Sequence, residues 1–291
     1  MVGLALLWGS AFLWVAIALR GLNPAQIVLV RLSLGALVLL AVLQVVGRRL
    51  PSSKRTWQHL FVAALLANVV PYLLFAIGQQ SVSSGLAGSL NATTPLWAFT
   101  FGLIFRTEQR ASPLRLGGLT LGFLGAVLIL APWQGAASEL AGSIACLTAA
   151  ASYGLSYVYM GRHLVGLDHH PLVLPTAQLI AASGLSVLVV PVAGIEPISL
   201  SPAVIAAVTI LGAGGTGAAY VLNYRLITDE GPTFASTVSY LLPVVAVALG
   251  VAVLDEPVTP RLLVGTVLVL ISIALVRRTK VDTTPRPARL A

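Results

Sequence analysis

The chain has 291 residues, of which 57% are apolar and 9% charged, and its mean hydropathy is +0.95. Soluble domains carry roughly 25% charged residues, so this chain has too little polar surface to form water-soluble domains. A net charge of +8 favours nucleic-acid binding only where basic residues gather on one surface. Here they stand in short groups between apolar runs, which is typical of membrane-protein loops. We therefore predict lipid contact and no nucleic-acid partner, and the single cysteine, Cys146, excludes an intramolecular disulfide.

Ten apolar runs approach the length that a helix needs to cross a bilayer, about 20 residues. The predicted spans, in chain order, are 2–19, 27–47, 57–78, 84–105, 113–131, 139–160, 172–193, 202–224, 232–253 and 260–276. No Lys or Arg precedes the first run, so we interpret it as a retained helix and not as a signal peptide. The loops are short, and residues 278–291 are predicted to form a disordered cytoplasmic tail. The expected fold is an all-α integral membrane protein.

The positions of Lys and Arg predict the orientation, because cytoplasmic loops carry an excess of them. With the N-terminus in the cytoplasm, fourteen basic residues fall in inner loops or the tail. Arg20 and Arg261 then lie outside, and Arg31 lies within the second span. We predict a multi-pass protein of the bacterial cytoplasmic (inner) membrane with both termini in the cytoplasm.

The second half of the sequence repeats the first. The identical residues that a shift of 148 positions superposes include Tyr72 and Tyr220, Pro95 and Pro243, and Glu108 and Glu256. A shift of 145 places residues 8–12 on residues 153–157, so the first and sixth helices correspond as well. We predict two five-helix repeats, residues 1–133 and 134–277. Because five is odd, the repeats are inverted around a central cavity, which opens alternately to either side.

Three segments resemble the EamA repeats of the drug/metabolite transporter superfamily. They are Trp8-Gly9-Ser10-Ala11-Phe12 in helix one, residues 95–117 across helices four and five, and residues 243–265 across helices nine and ten. The resemblance covers nearly the whole chain, which is most similar to the aromatic amino-acid exporter branch. It implies export of small metabolites, notably amino acids, through a cavity of helices one to four and six to nine. Drugs and other small metabolites are the alternative substrates. The chain departs from the family's usual Gly-Glu pair, since Thr107 precedes the first glutamate and Asp255 the second.

Helices three and eight carry matching stripes of polar and aromatic side chains. The stripe consists of Asn68, Tyr72, Phe75 and Gln79 on helix three, and of Thr216, Tyr220, Asn223 and Tyr224 on helix eight. Helical spacing puts each set on one face, and lipid penalises polar groups, so both faces point inward. The stripes either bind a substrate or join helices by hydrogen bonds alone. The mid-span tyrosines favour a substrate site, since a buried hydroxyl needs a partner.

Helices four and nine each contain a proline near mid-span, Pro95 and Pro243, which we interpret as gating or kink positions. A proline inside a helix removes one backbone donor, so the carbonyl groups of Asn91 and Ser239 are predicted to be free acceptors. An ammonium group could use both acceptors. A simple kink is the alternative interpretation, and the two are compatible.

The rings of Trp8 and Trp97 suit a zwitterion with an apolar side chain, because their faces can stack on it or attract its ammonium group. The residues predicted to bind the substrate are Trp8, Asn68, Tyr72, Gln79, Asn91, Trp97, Tyr153, Tyr157, Tyr220, Asn223, Tyr224, Ser239 and Tyr240.

Three charged residues each have two possible roles. Arg31, whose repeat counterpart is Gln178, either binds a carboxylate or extends to water, and its position near a helix end favours the second role. Glu108 and Glu256 lie at helix ends, where they either cap or orient a loop or take part in proton coupling.

Helices five and ten are predicted to be peripheral. They carry few polar residues beyond Thr120, Thr266 and Ser272, and Gly118 with Gly122 forms a small-residue face for packing or dimerisation. We expect a monomer or a weak homodimer.

Two motifs and the enzyme classes are rejected. Residues 212–217 match G-x-G-x-x-G, but they lie within the eighth span, where glycines permit close helix approach or local unwinding. His163, Asp168, His169 and His170 lie in one predicted exposed loop without the scaffold of a metal site. An intramembrane metal enzyme would need paired acidic clusters, and a serine protease an embedded serine–histidine pair. We predict a transporter without catalytic residues, cofactor or metal.

The predicted orientation is testable by cysteine labelling in a Cys146→Ala background. We expect Ser53→Cys and Thr284→Cys to react with a membrane-impermeant maleimide only after the cytoplasmic face is opened, because basic loops stay in the cytoplasm. Ser199→Cys, in a loop on the other side, is the control and should react in intact cells. Labelling of position 53 or 284 from outside intact cells would overturn the orientation.

Overall fold

The computed structural model describes residues 1–107, 113–130, 137–164, 167, 169–193, 197–230, 238 and 241–278. Most of these residues are helical, and none of them forms a strand. The helical spans, named α1 to α10 in chain order, are α1 (Val2–Gly9 and Ala11–Ala18), α2 (Pro24–Val45), α3 (Lys54–Ala64, Leu65–Val69 and Val70–Gly78), α4 (Ser84–Asn91 and Thr94–Ile104), α5 (Pro113–Leu130), α6 (Ala137–His163), α7 (Val173–Ala193), α8 (Pro202–Thr209, Ile210–Ala218 and Ala219–Glu230), α9 (Leu242–Leu254) and α10 (Pro260–Arg278).

Length and composition make four of these helices able to cross a membrane: Pro24–Val45, Lys54–Gly78, Val173–Pro191 and Pro202–Asn223. The apolar helices Val2–Ala18, Leu116–Ile129, Leu242–Leu254 and Pro260–Ser272 are shorter. Large apolar side chains such as Leu37, Leu124 and Leu188 are exposed on the bundle. Water would disfavour such a surface and lipid would not, so the fold is consistent with a membrane protein.

The regular helix is interrupted in spans α1, α3, α4 and α8. Span α1 is divided at Ser10, and α4 is divided at Ala92 and Thr93. Spans α3 and α8 contain wider π-helical turns at Leu65–Val69 and Ile210–Ala218. Under the predicted shift of 148, the first π-helical segment falls inside the second. The internal repeat therefore has a counterpart in local structure, while the inverted arrangement of the halves stays a prediction.

The two mid-span prolines begin helical segments. Pro95 lies in the first turn of Thr94–Ile104, and Pro243 in the first turn of Leu242–Leu254. A first-turn proline loses no helical hydrogen bond, because its N–H would lack a partner there in any case. The interpretation of Pro95 as a proline inside a continuous helix is therefore wrong, since the helix ends before it.

Contacts near the ends of the helices indicate which segments lie at the same end of the bundle. At one end the N–H of Ser199 donates to the carbonyl of Gly21 (2.9 Å), and Arg261 forms a 3.2 Å salt bridge with Glu139. At the other end His59 Nδ1 lies 2.8 Å from the Tyr159 hydroxyl. The end of α1 thus lies beside the α7–α8 loop, and the start of α6 beside the start of α10, as ten alternating spans require. Which end faces the cytoplasm stays a prediction.

Glu256 caps a helix of the opposite half. Its Oε1 accepts the N–H of Ser84 (2.7 Å), and its Oε2 accepts the Ser84 hydroxyl (2.9 Å) and the N–H of Gly85 (3.1 Å). Asp255 has φ +53°, a left-handed conformation that turns the chain after α9. A side chain on Gly250 would collide with the Glu256 carboxylate. Of the two roles considered for Glu256, the structure shows the capping role, and its counterpart Glu108 lies outside the described residues.

Helices α5 and α10 pack against each other through small residues. A Cβ on Gly125 would lie 2.9 Å from the carbonyl oxygen of Gly265. A Cβ on Gly122 would collide with Leu96 of α4 and would lie 2.5 Å from Ser272 Oγ. The chain itself therefore covers Gly122, one of the two glycines proposed for packing or dimerisation.

We expect Glu256→Ala to destabilise the folded protein, because it leaves the first N–H groups of α4 without an acceptor. The loss should be about 1–3 kcal/mol, the range for a charged hydrogen-bonding group. Thermal unfolding of the purified protein, followed by tryptophan fluorescence, measures it. Asp255→Asn tolerates the left-handed backbone and is the matched control. An unchanged midpoint for Glu256→Ala would contradict the capping role.

Candidate functional site

A buried group of polar side chains lies where α2, α3, α7 and α8 meet. Its members, called the polar centre below, are Arg31, Asn68, Tyr72, Gln178, Thr216 and Tyr220. Asn68 and Thr216 are fully buried, and Arg31 is 8% exposed. Polar groups in such a place need partners, since neither lipid nor an apolar core supplies any.

Arg31 is the charged member of the polar centre. Its Nε donates a 3.0 Å hydrogen bond to Thr216 Oγ1, and its Cζ lies 3.8 Å from the centroid of the Tyr72 ring. The residue is seven positions after the start of α2 at Pro24, about 10 Å along the helix. The expectation that Arg31 extends to interfacial water is wrong, because the hydrogen bond and the cation–π contact hold its guanidinium inside the bundle.

Amide and phenol groups continue the polar centre across three helices. Gln178 Nε2 of α7 donates to Asn68 Oδ1 of α3 over 2.7 Å. Asn68 Nδ2 in turn donates to the Tyr220 hydroxyl of α8 over 3.4 Å. These bonds join α3 and α7 to α8, so part of the predicted polar stripes does connect helices, as the alternative interpretation proposed.

The π-helical turns bring polar groups into the polar centre. Asn68 lies in the π-helical segment of α3, and Thr216 lies in that of α8. The Thr216 hydroxyl donates to the carbonyl of Leu211, five residues earlier, over 3.0 Å. That bond uses the hydroxyl proton and leaves the oxygen to accept from Arg31. Short π-helical segments within α-helices are frequent at functional sites.

Glycines let α8 approach α2 closely beside Thr216. A Cβ on Gly212 would lie 2.5 Å from Leu34 Cβ, and a Cβ on Gly217 would lie 2.6 Å from Val38 Cβ. The rejected G-x-G-x-x-G segment therefore serves helix packing, and it also lies in the π-helical turn. Both roles expected for these glycines, close approach and local unwinding, are present.

A row of aromatic rings adjoins the polar centre. The ring centroids of Tyr72 and Tyr153 are 6.4 Å apart, those of Tyr153 and Phe75 are 6.2 Å apart, and those of Phe75 and Phe12 are 5.4 Å apart. This aromatic row (Phe12, Tyr72, Phe75 and Tyr153) joins α1, α3 and α6. Tyr72 belongs to both groups, so a molecule bound at the polar centre can place an apolar side chain against the row.

Contacts in one half recur, with partners exchanged, in the other. A shift of 147 between helices two and seven places Arg31 on Gln178 and Pro24 on Pro171, and the shift of 148 places Asn68 on Thr216. The hydrogen bond from Arg31 to Thr216 (3.0 Å) therefore has its counterpart in the bond from Gln178 to Asn68 (2.7 Å). The two bonds differ in one respect, because Arg31 carries a charge and Gln178 does not.

Two glycines, Gly9 and Gly154, also make matching contacts with the opposite half. A Cβ on Gly9 would lie 2.6 Å from Val245 Cβ, and a Cβ on Gly154 would lie 2.5 Å from Trp97 Cβ. Gly9 matches Gly154 under the shift of 145, and Trp97 matches Val245 under the shift of 148. Gly9 thus lets α1 approach α9 of the other half, and Gly154 lets α6 approach α4 of the other half.

Several predicted site residues lie away from the polar centre. Trp97 packs on Phe101 and Phe123, so its ring has neighbours other than a ligand, although its buried Nε1 has no partner among the described residues. Gln79 donates to the carbonyl of Phe12 over 2.8 Å, and its buried Oε1 likewise has no described partner.

The predicted free carbonyl of Asn91 has a donor. The Thr94 hydroxyl donates to it over 2.8 Å. That contact forms because α4 breaks at Ala92 and Thr93, ahead of Pro95. The prediction of an unoccupied acceptor at this position is therefore wrong.

The remaining predicted residues differ in their surroundings. Trp8 packs in a cluster with Leu4 and Ala219, Tyr157 is 60% exposed, and Asn223 is half-buried on α8. The side chain of Tyr224 and the residues Ser239 and Tyr240 lie outside the described part of the chain.

Sequence reasoning left Arg31, Gln178 and Thr216 out of the predicted binding set. The signal that could have found them is the repeat itself. Arg31 and Gln178 are counterparts, and Thr216 is the counterpart of Asn68, which was selected.

His163 does not lie in the predicted exposed loop, whereas His169 and His170 lie between helices and His169 is exposed. His163 is the last residue of α6, and its ring stacks on that of His59, with centroids 4.5 Å apart. The pKa of His163 is lowered. Partial burial is the largest cause, and repulsion from His59, Arg162 and Arg55 adds to it. Within the described residues no group of His, Cys, Asp or Glu is suited to hold a metal ion.

Comparison with known proteins identifies the family. The model of the EamA-like transporter family matches residues 1–131 and 140–278. The chain belongs to the EamA-like transporter family. The resemblance of the sequence to EamA repeats is thereby confirmed, and the chain is a multi-pass membrane protein of a family of small-molecule transporters.

Relatives along most of the chain are also transporters by name. An uncharacterized transporter of Archaeoglobus fulgidus is 26% identical over 93% of this chain and 95% of its own length. The uncharacterized inner membrane transporter YedA of Escherichia coli K12 is 26% identical over 86% of this chain and 80% of its own length. A solved crystal structure with 19% identity has a TM-score of 0.66 and covers 95% of this chain and 94% of the other, which shows a shared fold.

A double-mutant cycle tests the buried amide pair. We expect Asn68→Ala and Gln178→Ala to be coupled by about 0.6–1.7 kcal/mol, because either change removes the same hydrogen bond. Equilibrium unfolding in mixed detergent measures each free energy. Thr120→Ala, an exposed site on α5, replaces Gln178→Ala in the control cycle and should add independently. Simple additivity of the amide pair would show that the bond contributes nothing.

Proposed function

We propose that this EamA-like transporter exports aromatic or other apolar amino acids across the cytoplasmic (inner) membrane of a bacterium. The observation that carries the proposal is the polar centre beside the aromatic row. One cation, several neutral hydrogen-bonding groups and adjoining rings suit a zwitterion with an apolar side chain. The resemblance of the sequence to the aromatic amino-acid exporter branch favours the same substrates. Drugs and other small metabolites are the alternative.

The transport mechanism that we propose is alternating access between inverted repeats, residues 1–133 and 134–277. The exchanged bonds of Arg31 with Thr216 and of Gln178 with Asn68 support it, because a pseudo-twofold axis in the membrane plane interchanges the halves in this way. The polar centre then lies at the interface of the repeats. A substrate there can be released to either side as the halves exchange conformations.

Glu256 closes one end of the cavity in this mechanism. Its carboxylate joins the α9–α10 loop to the start of α4, so it connects the second repeat to the first. We propose that Glu108, its counterpart, makes the equivalent contact at the opposite end when the cavity reverses. Both carboxylates then act as caps, which favours exchange or facilitated diffusion over proton antiport.

Counterflow in proteoliposomes tests the substrate class. We expect vesicles loaded with unlabelled phenylalanine to take up labelled phenylalanine and tryptophan, because these fit the polar centre and the aromatic row. Sugars and sugar phosphates should compete poorly. An imposed pH gradient should not change the accumulation if exchange operates.

Matched variants assign the transport to the polar centre. Tyr72→Ala and Tyr220→Ala should raise the half-saturating concentration about 2- to 30-fold, the range for losing one aromatic contact. Thr120→Ala and Ser272→Ala, on α5 and α10, should leave it unchanged. Robust sugar-phosphate counterflow without amino-acid counterflow would refute the substrate class.

A further inference from the structure

Arg31 is a buried cation for which the described residues supply no anion. No described carboxylate lies within salt-bridge distance of its guanidinium, and the described salt bridge joins Arg261 and Glu139 at one end of the bundle. Glu256 is engaged with α4. An unpaired charge inside an apolar bundle is costly, and the cost falls when a ligand of opposite charge binds.

The guanidinium is held in a fixed orientation with part of its edge unused. Its Nε donates to Thr216, and one face lies on the Tyr72 ring. The N–H groups on Nη1 and Nη2 have no hydrogen-bond acceptor among the described residues. An arginine presents these groups as a planar fork, which matches the two oxygens of a carboxylate. Because Thr216 and Tyr72 already orient the fork, little further ordering is needed on binding.

We propose that Arg31 is the carboxylate-binding site of the transporter and accepts one monoanionic group in bidentate fashion. This inference rests on the proposed function where it takes the carboxylate to be that of an amino acid. A single cation balances a single negative charge, so a carboxylate is preferred over a phosphate dianion, which leaves one charge unbalanced in a low dielectric. The counterpart Gln178 is neutral, so the polar centre has one charged side and one neutral side.

This position also fixes where the rest of the substrate lies. Tyr72 contacts Arg31 on one side and Tyr153 on the other, and Tyr153 leads to Phe75. A carboxylate at Arg31 therefore places the apolar side chain of the same molecule against the aromatic row. The neutral amide and phenol groups of Gln178 and Tyr220 remain for its ammonium group.

Calorimetric titration of the purified full chain separates the contributions of each substrate group. The ligands are phenylalanine, 3-phenylpropionate (no ammonium group), 2-phenylethylamine (no carboxylate) and phenyl phosphate. We expect the wild type to bind both carboxylates more tightly than the amine and the phosphate. Arg31→Gln should weaken both carboxylates about 10- to 100-fold, the range for a lost charged hydrogen bond, and change the amine less than about 3-fold.

Three further variants distinguish a binding role from a structural one. Arg31→Lys keeps the charge without the fork and should retain part of the carboxylate preference, and it decides the question if Arg31→Gln does not fold. Thr216→Val removes one contact that orients the guanidinium and should weaken both carboxylates by less than Arg31→Gln does, with little change for the amine. Arg20→Gln removes an exposed arginine at the end of α1 and should bind every ligand like the wild type.

The outcomes separate this inference from the proposed function. An equal loss for all four ligands, or no carboxylate preference in the wild type, would overturn the role of Arg31. Tighter binding of phenyl phosphate would overturn the monoanion. If 3-phenylpropionate binds through Arg31 but vesicles move no amino acid, the anion site stands and the proposed function fails.

Discussion

The burial of one positive charge between α2 and α8 is the interaction on which the centre of this protein depends. Removing the guanidinium of Arg31 from water is costly, and its hydrogen bond to Thr216 and its contact with Tyr72 offset only part of that cost. Both partners must therefore be held in place. Thr216 is held by its own bond to Leu211, and Tyr72 by packing against Tyr153.

Departures from the regular helix supply that geometry. An unbroken α-helix satisfies its own backbone groups and leaves a threonine no carbonyl five residues earlier to bind. The π-helical turn of α8 provides one, and the glycines of the same turn let α2 approach. In α3 the corresponding turn carries Asn68, which links Gln178 to Tyr220. The polar centre is therefore a product of two irregular segments in matching positions.

Much of the fold could be predicted from composition and periodicity, because an apolar run long enough for a bilayer has few alternatives. The inward direction of the polar stripes was predictable because lipid penalises polar groups, and Asn68, Tyr72 and Tyr220 do lie together. The prediction that Arg31 extends to water was wrong because the position of a residue along one helix does not reveal a partner 185 residues away, here Thr216. Asn91 was misjudged because the break in α4, which lets Thr94 bind its carbonyl, leaves no signal in the helical period.

The difference in charge between the two halves of the polar centre can fix the orientation of a bound zwitterion. A perfectly twofold site would bind a zwitterion equally well in two opposite orientations, and half of the contacts would be wrong in each. The second half has the neutral Gln178 where the first half has Arg31, so the two orientations are no longer equivalent. Both matched hydrogen bonds between helices are kept. Under the proposed alternating access, the two halves then remain similar enough to exchange conformations. Among the described residues of the polar centre, Arg31 and Gln178 are the matched pair at which the symmetry of charge is broken.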